Sequence, residues 1–168
     1  MQKEKFITVM AILDDHTQAV FQGIQEELES KYGIDTKTRD IPYHITLGSY
    51  AVEDTQAVVE KIVEVAKRQT SFPIKFSGVT HFGNVVRFAE PVISAELLAL
   101  HSHFDNDYAN GYPDWVPHAT LYMHSEPTEI DMAEEMIAKV TGLSEAKIVG
   151  IELGEFWPTK KIIRVLFE

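Results

Sequence analysis

His44-Ile45-Thr46-Leu47 returns later in the chain as His118-Ala119-Thr120-Leu121. On an extended backbone, side chains two apart share a face at about 6.5 Å, and the residues between them face the other way. The spacing predicts that His44 and Thr46 point together into a cleft while Ile45 and Leu47 anchor the strand in the core. His118 and Thr120, with Ala119 and Leu121 as anchors, repeat the arrangement. A proline stands shortly before each copy, Pro42 and Pro117, which favours an extended approach. One such tetrapeptide says little, because a strand histidine is ordinarily a satisfied polar group and threonine suits strands by shape. Two copies in one short chain point to a paired site.

Outward from the motifs, the pattern predicts the same run of elements twice. Residues 6–13 are nearly all apolar, as in a strand covered on both faces. Asp14 or Asp15 caps a helix that runs to about Lys31 and stops at Gly33, and the first motif strand follows at about 43–50. A helix from near Asp54 carries Val58, Ile62, Val65 and Ala66 as a buried stripe. A strand at 72–82 turns at Gly83-Asn84 into another at 85–89. Ser94 then caps a helix that fades before Gly111, and the second motif strand comes at 118–123. Pro127 opens a helix with Ala133, Met136, Ile137 and Val140 at core spacing, and strands near 147–153 and 161–167 close the chain through Phe156-Trp157-Pro158. The strand after each helix begins 28 residues beyond His44 (at Phe72) and 29 beyond His118 (at Lys147), so an internal duplication is expected.

The bulk properties narrow the function. A chain of 168 residues makes one compact domain or two small lobes sharing a core. Its net charge of −11 argues against an extended nucleic-acid surface, which needs cations, so a nucleic-acid ligand would be short or gripped at one end. There is no cysteine, which excludes disulfides, zinc–thiolate sites and thiol nucleophiles. The N-terminal apolar run is too short for a membrane span, so a soluble, cytoplasmic protein with no membrane partner is expected.

Two imidazoles and two hydroxyls suffice for in-line displacement at a phosphodiester. One neutral histidine takes a proton from water, a protonated one gives a proton to the leaving oxygen, and the hydroxyls hold the phosphate. Two histidines are too few for a closed metal site and threonines are poor ligands, so neither a metal nor a cofactor is expected.

These residues resemble the two signature motifs of the 2H phosphoesterase superfamily, which includes the 2′-5′ RNA ligase-like proteins and the cyclic nucleotide phosphodiesterases. The resemblance covers the whole chain, in its size, its two motifs half a chain apart and its opening Phe6-Ile7-Thr8-Val9-Met10-Ala11-Ile12-Leu13 strand. It implies an α+β fold, bilobal and duplicated, with two antiparallel sheets facing each other across a central cleft and helices outside. It implies one domain over 1–168, made of two pseudo-symmetric lobes that contribute one motif each. It also implies metal-independent chemistry on 2′,3′-cyclic phosphates or 2′-5′ linkages, with a small cyclic nucleotide or an RNA end as ligand. His44 and His118 would be the catalytic acid–base pair, and Thr46 and Thr120 would bind the substrate phosphate. The alternative is a binding module that keeps the cleft without turnover.

Other candidates are secondary. Tyr122 shares a face with Thr120 on an unbroken strand and is read as substrate-binding, and Tyr50 lies further along the first motif face. Tyr43, Trp115 and Phe156-Trp157 could stack a base at the rim. Of the arginines Arg39, Arg68, Arg87 and Arg164, Arg39 stands nearest a motif. His101 and His103 fall on nearly opposite sides of a helix and make no metal pair; His124 shares the face of His118 but lies about 20 Å along the strand. His16 and His81 sit at element edges.

Overall fold

The structure is a computed structural model and describes residues 4–33, 40–106 and 114–168. Its elements run β1 (Phe6–Leu13), α1 (Asp15–Tyr32), β2 (His44–Ala51), α2 (Thr55–Ala66), β3 (Phe72–Pro73), β4 (Phe76–Phe82), β5 (Val86–Pro91), α3 (Ala95–Ser102), β6 (Ala119–Met123), α4 (Glu134–Thr141), β7 (Lys147–Phe156) and β8 (Lys160–Leu166). They form two antiparallel sheets. The larger has the order β2-β1-β7-β3, with β8 also on β7, and the smaller is β4-β5-β6. The two motif strands, β2 and β6, are edge strands, and the sheets approach each other along them.

β1 is central because both its faces are apolar. Ile7, Val9, Ala11 and Leu13 join the main core, while Met10 and Ile12 join a smaller cluster with Phe156 on the other face. Asp14 caps α1 by accepting from the Thr17 amide at 3.0 Å and also accepts from the Lys147 amide at 2.7 Å, which ties the helix start to β7. The helix ends at Gly33, whose φ of 111° a residue with a side chain rarely adopts. Phe21, Ile24 and Leu28 are its buried face. The helices cross between the halves, with α1 packed on β6 and α4, and α3 packed on β2.

Two expected elements differ. The strand predicted at 72–82 is two strands in different sheets: β3 pairs with β7, whereas β4 pairs with β5. Pro73 has no amide to continue a ladder, and the Ile74 amide goes to the Ala146 carbonyl, so the chain changes sheet there. The helix expected from Pro127 begins only at Glu134. Before it, the backbone is committed to tertiary bonds: the Thr128 amide donates to the Asn84 carbonyl and the Asp131 amide to the Tyr32 hydroxyl. Among the described residues, no helix is long and apolar enough to cross a membrane.

Candidate active site

Each motif alternates as its residue types require. Ile45 and Leu47 in β2, and Ala119 and Leu121 in β6, are fully buried, whereas His44, Thr46, His118 and Thr120 keep partial access to solvent. Burying each leucine contributes about 2 kcal/mol, which pins the strands and aims the polar partners away from the core.

Both strands then bulge at the same motif position. On β1, Val9 pairs with Gly48 and Met10 with Thr46, which leaves Leu47 as the extra residue. On β5, Arg87 pairs with Tyr122 and Phe88 with Thr120, which leaves Leu121 as the extra residue. A bulge resets the alternation beyond it. This corrects the reading of Tyr122 as a residue on the face of Thr120. Tyr122 is fully buried, belongs to the main core and donates its hydroxyl to the Gly33 carbonyl at 2.9 Å. For the same reason Tyr50 leaves the motif face and donates to the Phe104 carbonyl at 2.8 Å, and His124 turns to the Tyr32 and Glu126 carbonyls.

The two histidines are held alike. The Nδ1 of His44 lies 2.7 Å from the Pro42 carbonyl, and that of His118 lies 2.7 Å from the Val116 carbonyl. A carbonyl only accepts, so Nδ1 carries the proton in both rings and Nε2 is the position left for proton transfer. Burial pushes the His44 imidazole down to about 4; the Pro42 carbonyl pulls the other way, and a charge on His118 adds to the fall. Burial also lowers His118, against the pull of the Val116 carbonyl. The His118 ring stands edge-on to Phe82 at 5.0 Å and tilted to Phe88 at 5.4 Å. Among the described residues, neither the Thr46 nor the Thr120 hydroxyl has a hydrogen-bond partner. No group of three or more His, Asp or Glu side chains among them converges as a metal site.

One charged pair escaped the sequence reading. Thr46, Met10, Glu152 and Arg164 are successive lateral neighbours across β2, β1, β7 and β8, and so share a face. Glu152 is 4% exposed and accepts from the Arg164 Nε. Both line a groove of about 640 Å³ that starts beside Pro42 and Tyr43. The only sequence signal was the alternation of β7, which needs the register to become useful. Arg68 pairs with Glu64, Arg87 donates to the carbonyls of Ile130, Gly83 and Val86, and Arg39 lies outside the described residues.

The rim aromatics divide. Tyr43 donates its hydroxyl to Gln25 and stands edge-on to Phe21. Trp115 stacks on His101 at 3.6 Å, with the planes 5° apart. Phe156 stacks on Phe6, and Trp157 is 41% exposed.

The family model of the 2′-5′ RNA ligase superfamily matches residues 13–156. No curated protein matches the sequence. Among solved structures, E. coli LigT complexed with 3′-AMP is similar at a TM-score of 0.61 and 12% identity, covering 98% of this chain and 99% of that one. TT0787 of Thermus thermophilus is similar at a TM-score of 0.63 and 15% identity, covering 96% and 97%. A phosphoesterase is similar at 0.54 and 13%, covering 97% and 98%. LigT was also crystallised with NADP+. At these identities the likeness is one of fold.

Proposed function

The chain belongs to the 2′-5′ RNA ligase superfamily, and from that premise we propose that it is a metal-independent phosphodiesterase acting on 2′,3′-cyclic phosphates or 2′-5′ linkages of nucleotides or RNA ends. The observation that carries this reading is the matched pair of imidazoles. Each has its Nδ1 fixed by the carbonyl two residues back, and among the described residues neither its Nε2 nor the hydroxyl of the threonine beside it has a hydrogen-bond partner.

His44, the histidine held down to about 4, is neutral at pH 7 and serves as the base. Its Nε2 takes a proton from water as the water oxygen attacks phosphorus. The bond from phosphorus to the ribose oxygen opposite the attack breaks, and that oxygen takes the proton from Nε2 of protonated His118. An anionic phosphate between the rings favours this protonated form. Thr46 and Thr120 donate to the non-bridging oxygens as charge grows there. Solvent then removes the proton from His44 and returns one to His118. Each half of the chain supplies one histidine and one threonine, and the whole chain acts as one unit.

The net charge of −11 and the nucleotides in the LigT structures support a small nucleotide or a gripped RNA end as ligand. The test is turnover of 2′,3′-cyclic nucleotides by wild type and by His44→Ala. A binding module would hold the product nucleotide yet turn over none of them.

A further inference from the structure

β2 is an edge strand, so the backbone carbonyls on its free side have no strand partner. Side chains from the other half of the chain fill that place. The Thr46 carbonyl accepts from the Trp115 indole Nε1 at 2.9 Å, the Leu47 carbonyl from His101 Nδ1 at 2.9 Å, and the Ser49 carbonyl from Asn106 Nδ2 at 2.7 Å. The Trp115 and His101 rings are stacked face to face at 3.6 Å, so their two donors act as one plate against the bulge.

Trp115 stands three residues before His118, and Val116, between them, supplies the carbonyl that fixes the His118 ring. The short run 115–118 is therefore hooked at one end onto the peptide of Thr46, two residues from His44, and carries the second histidine at its other end. We infer that Trp115 is a positioning residue that sets the separation and mutual orientation of His44 and His118. It touches neither reacting atom. It acts through the Thr46 carbonyl on one side and through the His118 loop on the other. Its expected leverage is large, because a misplacement of about 1 Å can cost roughly a hundredfold in rate.

The inference draws on the proposed acid–base roles only for its activity arm. The variant is Trp115→Phe, which keeps a ring against His101 and deletes the donor. We expect kcat on 2′,3′-cyclic AMP to fall roughly 10- to 100-fold, with KM changing less than about threefold. In NMR titrations, the His44 and His118 imidazoles should both shift from their wild-type midpoints. Unchanged kcat together with unchanged titrations would overturn the inference, and so would a lower melting temperature with full activity in the folded fraction. If wild type turns over no cyclic nucleotide, the functional reading fails by itself. Positioning is then decided by the imidazole titrations alone. Should Trp115→Phe not fold, indole N–H exchange in wild type decides instead, with Trp157, 41% exposed, as the internal reference. Slow exchange at Trp115 supports the hook, and exchange as fast as at Trp157 contradicts it.

Discussion

His118 repeats at the second motif the bond that His44 makes at the first: in each ring Nδ1 donates at 2.7 Å to the carbonyl two residues back. Both imidazoles are also lowered by burial, and His44 is further depressed by a charge on His118. The equivalent bonds leave equivalent Nε2 positions. In the proposed mechanism the base role goes to the ring that resists protonation more.

The pH profile follows from those directions. The base must be neutral and the acid protonated, and kcat/KM reports the free enzyme. The acidic limb reflects protonation of the ring held at about 4, and the basic limb reflects loss of the proton from a His118 lowered from its usual 6.5. The bell should therefore peak on the acidic side of neutrality, below about pH 6.5, with midpoints that belong to the coupled pair. A kcat/KM maximum above about pH 7.5 would contradict this assignment.

Stability should carry the same signature. Between 6.5 and about 4 the unfolded chain binds a proton at His44 that the folded chain refuses. Stability therefore falls as pH falls through that window, by no more than about 3 kcal/mol from this group. His44→Gln removes the titration. Its melting temperature should stay near wild type at pH 7 and fall less than wild type by pH 4.5. Parallel losses in the two proteins would show that His44 is not the group responsible.

Thr46→Val and Thr120→Val keep the shape and delete one neutral donor each. Each should cost roughly 1–3 kcal/mol of transition-state stabilisation, about 5- to 150-fold in kcat/KM, with little change in melting temperature. Kinetics beside thermal melts check this; a large loss of stability would assign the hydroxyls a structural role instead.

How much of this was legible depends on the range of each interaction. The two His-x-Thr-Leu stretches read correctly because alternation over four residues is local, and Asp14, Gly33 and Ser94 cap their helices through local bonds. Tyr122, Tyr50 and His124 were misplaced because the bulges at Leu47 and Leu121 reset the parity of each strand. Those bulges follow from pairing with β1 and β5, which the motif residues alone do not specify. Pro73 did carry a signal, since its missing amide marks the change of sheet that divides 72–82. Glu152 with Arg164, and Trp115 with Thr46, join different elements, so only the fold brings them together.

Gly48 tests the seal on the β2 edge. A Cβ there would meet the Phe104 carbonyl oxygen at 2.1 Å, and backbone cannot step aside as a flexible side chain would. Gly48→Ala should lower stability by roughly 2–4 kcal/mol. Gly23→Ala, in α1 with nothing within 4 Å of the new Cβ, should instead raise it by about 0.5–1 kcal/mol. Urea unfolding of both variants gives the signs; a neutral Gly48→Ala would mean that β2 and the 104 segment lie further apart.

The central claim meets its most direct test in initial rates on a panel of 2′,3′-cyclic nucleotides, run with EDTA present, for wild type, His44→Ala, His118→Ala and the double variant. We expect wild type to open the ring undiminished by EDTA, and either single substitution to lower kcat by roughly 10²- to 10⁴-fold. The double variant should lose far less than the product of the two, because the rings serve one proton-transfer cycle. A folded His44→Ala or His118→Ala protein with wild-type turnover would contradict the account, as would wild-type activity that EDTA abolishes and a divalent ion restores.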